Sequence, residues 1–320
     1  MDIKRELYNV FLLKEYFLHF GIDIALWSLA DGVARRMKLK ALYQKTHYYR
    51  YQSCKKYLKK KYGYIIEKYK KSSMDSKEIG ETSVIWRYWY QGIDKAPYPV
   101  GLCLDSLKGK MGAHREIILD KDNYRDYVNL PEYVTNKMER GQISIAIFSD
   151  FLRLALLKKY GGIWLDSTAY LNAELPDEVG KSKFYSIKQN NRRKWVVTQD
   201  LWSVCMLAAG VDNILIHFCY DFLCEYWKEE NVPVGYLMTD CIIALGYEYI
   251  PAIRKMIDQV PDNNIHFFAF LEEFRNQKYD AAKLAEMNRN TYIYKLTYKL
   301  PYKKRINGQY TNFGALLHHR

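Results

Sequence analysis

The chain has 320 residues and 49% of them are hydrophobic, which excludes a largely disordered protein and leaves room for one large domain or two small ones. Its formal charge is +13, and residues 1–80 hold 18 Lys and Arg against 8 Asp and Glu, so +10 of the excess lies in that quarter of the chain. So local an imbalance points to an anionic partner for that segment: lipid headgroups, nucleic acid or an acidic polymer.

Residues 1–75 read as helices. The opening stretch MDIKRELYNVFLLKEYFLHFGIDIALWSLADG is apolar, but Lys14, Glu15, His19, Asp23 and Asp31 interrupt it. No run reaches the roughly 20 apolar residues of a bilayer span, and no signal-peptide pattern is present. A cytoplasmic protein, peripheral to the inner face of the cell membrane, is expected. In KKYLKKKYGYIIEKYKK, the apolar positions Tyr57, Leu58, Tyr62, Ile65, Ile66 and Tyr69 recur at helical spacing and Lys fills the opposite face. That pattern suits a helix lying on an anionic membrane, and equally the solvated face of a helix packed on the body of the protein. Lys greatly outnumbers Arg here and no nucleic-acid motif accompanies it, so nucleic acid is not an expected partner.

The polar stretch SSMDSKEIGET (72–82) reads as a linker, dividing a basic helical region, 1–78, from a second domain, 79–320. SVIWRYWYQG (83–92) reads as a strand, Pro97 and Pro99 open a helix through Leu107, and REIILD (115–120) is a second strand. Short helices follow around NYRDYV and PEYVTNKMERG. Residues 143–159 form a long apolar helix, and GGIWLDSTAYL is a third strand. Residues 183–189 and 195–198 are further strand candidates, and 213–231 and 239–260 are helical. This alternation of strands and helices predicts an α/β layer with a mostly parallel sheet. Six Cys occur without a CxxC pair, mostly in apolar runs, which fits buried free thiols and excludes a zinc pattern.

The chemistry-bearing residues lie around the long apolar helix. Its interior polar residues Ser149, Asp150 and Arg153 share an arc of about 100°. A buried Asp and Arg are costly unless they pair or engage a ligand, so they are either an ion pair tying the core or a grip on sugar hydroxyls. The helix ends at Gly161-Gly162, a turn that also gives a ligand close access to backbone. The strand IWLD then delivers Asp166 to the carboxyl edge of the sheet, where ligands of open α/β sheets collect. No GxGxxG, P-loop, GxSxG or HExxH motif offers another chemistry.

SDFLRLALLKKYGGIWLDST resembles the signature of capsular polysaccharide synthesis glycosyltransferases, relatives of the Asp-X-Asp sugar transferases. The resemblance extends over VIWRYWYQGIDKAPYPVGLCLDS, NYRDYVNLPEYV and YIYKLTYK, roughly residues 83–300. It implies a GT-A fold, a Rossmann-like domain that binds a nucleotide-sugar, with the basic helical region as an extension. It matches Trp89 to the aromatic that stacks on the donor base, with Tyr90 and Gln91 beside it. Ser149, Asp150 and Arg153 match the block that grips the donor sugar, and Asp166 matches the first Asp of Asp-X-Asp. Tyr160, Gly162 and Trp164 would wall the pocket, although Tyr160 and Trp164 also suit plain core. Asp200 and Asp240 are candidate acceptor or sugar contacts, and either equally suits a helix cap or a turn.

The departure is at Thr168, where relatives carry the second Asp, the direct divalent-metal ligand. Either Asp166 holds Mn or Mg with a group from elsewhere, such as His318 or His319, or Lys295 and Lys299 neutralise the diphosphate without metal. The resemblance implies an enzyme that moves a hexose from a nucleoside diphosphate sugar to a lipid-linked oligosaccharide, retaining anomeric configuration. The alternative is an inactive homologue that binds sugar nucleotide or polysaccharide as a regulator.

Overall fold

The computed structural model describes residues 11–318, with the side chain of His318 outside that description. After a π-helical turn at Tyr16–Phe20 come helix α1 (Ile22–Arg36) and the long helix α2 (Lys40–Lys70), which is locally broken at Tyr62. Then follow β1 (Val84–Tyr88), α3 (Tyr98–Asp105), β2 (Arg115–Leu119), α4 (Glu132–Glu139), α5 (Ile145–Tyr160), β3 (Gly162–Leu165) and β4 (Ala169–Leu171). The second half holds α6 (Glu178–Lys181), β5 (Phe184–Ser186), β6 (Met206–Ala209), α7 (Ile214–Glu229), α8 (Met238–Tyr249) and α9 (Pro251–Asp258). The chain closes with α10 (Ala281–Asn288), β7 (Ile293–Lys295), β8 (Arg305–Ile306), β9 (Gln309–Tyr310) and α11 (Asn312–His318).

The central sheet has the order β2-β1-β3-β6-β5. β1 pairs in parallel with β2 and β3, while β6 runs antiparallel between β3 and β5, so four of the five strands point the same way. The expected mostly parallel α/β layer is therefore present. β3, β6 and β5 are buried along their length, as strands covered on both faces require, while β2 is the partly exposed edge. Helix α5 is capped by Ser144, whose hydroxyl accepts from the Ile147 N–H at 3.3 Å, and it buries Phe148, Phe151, Leu152, Leu154 and Leu156.

Several elements differ from expectation. The third strand is two strands in two sheets: β3 stops at Leu165, the chain bends through Asp166–Thr168, and β4 pairs antiparallel with β7. The helix expected over 239–260 breaks at Ile250, whose extended backbone lets Pro251 open α9. Residues 195–198 form turns, and the strand of that region is β6, ten residues on. The polar stretch 72–82 is fastened to the body, not free. Lys77 N–H donates to the Val211 carbonyl, and Ile79 N–H to the Ser182 carbonyl, at 3.0 and 2.9 Å.

Helix α2 packs its apolar face inward. Leu58, Tyr62, Ile65, Ile66 and Tyr69 are buried in one core with Phe218, Phe222 and Tyr226 of α7. Its basic face is partly neutralised by that same neighbour. Lys61 pairs with Glu230 at 2.5 Å, and Lys68 with Asp221 at 2.8 Å. The apolar stripe of this helix thus belongs to the core and is closed to a bilayer. All six cysteines are free thiols, four of them buried.

Candidate functional site

β1 and β3 are parallel neighbours, so the segments that follow them, Trp89–Gln91 and Asp166–Thr168, emerge at the same sheet edge. They open into a cleft of about 1790 Å³ that also reaches α1, α2, the start of α8 and the 187–205 loop. Burial of charge at its floor is handled by one network. Arg153, 4% exposed, donates to Asp150 Oδ1 at 2.7 Å and to Asp166 Oδ1 at 3.1 Å. Trp164 Nε1 donates to the same Asp166 oxygen at 3.0 Å, and Lys295 Nζ pairs with Asp166 Oδ2 at 2.7 Å. Thr239 Oγ1 donates to Asp150 Oδ2 at 2.6 Å. Both carboxylates, 21% and 23% exposed, are thus satisfied on both oxygens.

The charges follow this geometry. Burial would raise the Asp166 carboxyl, but Lys295 and Arg153 overcome it and hold it far below the usual carboxylate range. Asp150, with Arg153 shared and less cation near it, is raised by burial. Burial pushes Asp240 up to about 7, opposed by the hydrogen bond from Trp202 Nε1 at 3.0 Å.

Two devices deliver these groups. Lys295 arrives through the small sheet, where Ala169 is paired with Lys295 and the Leu296 N–H donates to the Thr168 carbonyl at 2.8 Å. The bend itself is held by Arg87, fully buried in the middle of β1. Its guanidinium donates to the carbonyls of Cys103, Asp166 and Ala169 at 3.0, 3.3 and 3.2 Å. Sequence reasoning passed over Arg87. Its signal was an Arg inside the apolar run VIWRYW, where a charge survives only with partners. Thr239 was also missed, because it lies 89 residues from the Asp150 it bonds.

Of the residues singled out from sequence, Trp89, Tyr90, Gln91, Ser149, Asp150, Arg153, Trp164, Asp166, Thr168 and Lys295 all line this cleft, as do Asp200 and Asp240. Trp89 stands edge-on to Tyr298 with ring centroids 5.3 Å apart. Asp200 is taken up by Arg193, which donates to its carboxylate at 2.6 and 2.9 Å and locks the loop. Tyr160, Gly162 and Lys299 are not among the lining residues. Tyr160 donates to the Tyr127 carbonyl at the far end of α5, 2.9 Å away. Gly162 begins β3 at the opposite edge from Asp166, where an added Cβ would lie 2.4 Å from the Val84 carbonyl oxygen. The double glycine serves close strand packing, not ligand access. The Lys299 side chain lies over Tyr298, its Nζ 5.7 Å from the ring centroid.

Among the described residues no group of three or more His, Cys, Asp or Glu is arranged to hold a metal ion. The donor set here does not fit Mn or Mg: one carboxylate at the bend, both of its oxygens already held by cationic or N–H donors. His319 and the His318 side chain lie outside the described residues.

An α/β protein with a buried carboxylate–arginine–lysine network at the carboxyl edge of its sheet is the class that fold and site define. Residues 35–313 match the sequence profile of the family described as capsular polysaccharide synthesis protein, and the chain belongs to that family. Among solved structures it is similar to one titled PaToxG Glycosyltransferase, at 16% identity over 76% of this chain and 99% of that one, with a TM-score of 0.35. No curated protein matches the chain.

Proposed function

We propose that the protein is a glycosyltransferase of GT-A type. It moves a hexose from a nucleoside diphosphate sugar to a growing, lipid-linked oligosaccharide in surface polysaccharide synthesis. The observation that carries this reading is the Asp150–Arg153–Asp166–Lys295 network at the floor of a cleft walled by Trp89, Tyr90 and Trp164. A flat aromatic suits a nucleobase, paired carboxylates and guanidinium suit sugar hydroxyls, and fixed cations suit a departing diphosphate. Family membership supports the polymer class of the product.

In the reaction, the bond from the sugar's anomeric carbon to the phosphate oxygen breaks and its electron pair leaves with the nucleoside diphosphate. The acceptor oxygen bonds that carbon, and the acceptor's proton passes to the departing phosphate oxygen on the same face, which retains configuration. No protein nucleophile is needed. The residues contribute orientation and charge: Asp150 and Arg153 hold hydroxyls, and the cations face the charge that grows on the leaving group.

The acceptor enters from the membrane side of the cleft, along α1. That helix presents Ile22, Leu26, Leu29, Val33 and the adjoining Met37 on one face, each between 45% and 62% exposed, and Leu29 and Val33 also line the cleft. Exposed Arg35, Lys38 and Lys40 flank that face. It suits an anionic lipid surface better than α2 does, whose apolar stripe is buried. Incubation with a panel of nucleotide-sugars tests the reading, by release of nucleoside diphosphate. Release from one donor is expected, and a protein that binds a donor but never releases product would be the regulator instead.

A further inference from the structure

We propose that Lys295 occupies the place of the divalent cation in this donor site, so that the diphosphate is held by a protein ammonium group and binds without metal. The inference rests on the nucleotide-sugar reading above and deepens it. In an Asp-X-Asp site a dication bridges the carboxylates to the diphosphate. Here Lys295 Nζ already sits on Asp166 Oδ2 at 2.7 Å, while Arg153 and Trp164 take Oδ1. A metal would have to displace a lysine that a β-ladder holds in place, Ala169 against Lys295, one residue from Thr168.

The charge balance agrees. Asp150 and Asp166 face Arg153 and Lys295, two negative charges against two positive ones. An Asp at position 168 would leave the set one charge negative and in need of a further cation. Thr168 leaves it neutral, so the substitution and the lysine compensate each other. An ammonium has three donors; Asp166 takes one and Cys205 engages another, leaving one for a phosphate oxygen. In the transfer, the electron pair of the breaking carbon–oxygen bond moves onto the phosphate. Lys295 stabilises that charge by hydrogen bonding and keeps its own proton. Burial opposes its charge, and Asp166 more than restores it.

Titration calorimetry with UDP, GDP, ADP and CDP, in EDTA and again in Mn, provides the test. At least one nucleotide binds in EDTA, and Mn changes its Kd by less than about threefold, under half the energy of one charge-assisted hydrogen bond. Lys295→Met weakens that binding by about 10- to 100-fold and Lys295→Arg weakens it far less. The electron-paramagnetic signal of free Mn persists when the protein is added. Binding that requires Mn, or a Lys295→Met protein that binds like wild type, overturns the proposal. If Lys295→Met does not fold, the EDTA and Mn arms of the wild-type protein decide alone. A protein that binds no nucleotide in either medium contradicts the nucleotide-sugar reading itself, and this inference with it.

Discussion

Asp240 is a carboxyl with almost no compensation: 5% exposed, with one N–H bond from Trp202 and with Asp150 adding repulsion. Burial sets its value near 7, whereas an unfolded Asp titrates near about 3.9. Between those values the folded chain binds more protons than the unfolded one, so stability falls as pH rises from about 4 to about 7 and then levels. Denaturant melts across this range should show that decline, and Asp240→Asn should flatten it. An unchanged slope in the variant would assign the decline to other groups. At this scale much was legible. Asp150, Arg153 and Asp166 stood out because charges in apolar runs need partners. Arg87 carried the same signal within VIWRYW, but its partners are carbonyls 16, 79 and 82 residues away and the Glu116 carboxylate 29 away, which no spacing announces. Asp200, an acceptor candidate or else a cap or turn residue, lines the cleft and is bound by Arg193, with left-handed backbone at φ 61°.

At the scale of elements, the bend between β3 and β4 makes the site. Periodicity read GGIWLDSTAYL as one strand, since both halves are apolar and β-branched or aromatic. What breaks it is a partner 124 residues downstream, β7, which claims Ala169–Leu171 for a second sheet and brings Lys295 with it. Local pattern carries no information on such long-range pairing. The glycines at the start of β3 were read as ligand access, yet they admit the neighbouring strand. Gly162 has φ 100° and its absent Cβ would meet the Val84 carbonyl oxygen at 2.4 Å. Gly162→Ala should therefore cost about 2 kcal/mol or more in urea melts, from backbone strain and displacement of β1 together. A variant as stable as wild type would mean that β1 and β3 can separate freely. The break before α9 was the more readable case, because Ile250-Pro251 disfavours helix at the residue before proline.

For the whole molecule, charge asymmetry drew attention to the first 80 residues, and the two helices there differ in what they expose. The basic amphipathic run in α2 is the one that packs, because Tyr and Leu at helical spacing bury as well against α7 as against lipid. The exposed apolar face lies on α1, whose sequence reads as less basic. About half of each side chain there is exposed, so transfer to a bilayer is worth about 1 kcal/mol per residue. Among the described residues no helix is long and apolar enough to cross a membrane. Ile22→Glu with Leu26→Glu should release the protein from phosphatidylserine vesicles in flotation without lowering its melting temperature. Undiminished flotation would remove α1 from the interface.

The central claim is that the Arg153-centred network transfers sugar from a nucleotide donor. It is tested most directly by nucleoside diphosphate release from a nucleotide-sugar panel, measured for wild type beside Arg153→Lys and Asp166→Asn. The account predicts release from one donor by wild type and a loss of about 100-fold or more in both variants, as for removal of a fixed electrostatic partner. Release unaffected by either substitution, or from no donor at all, would contradict it.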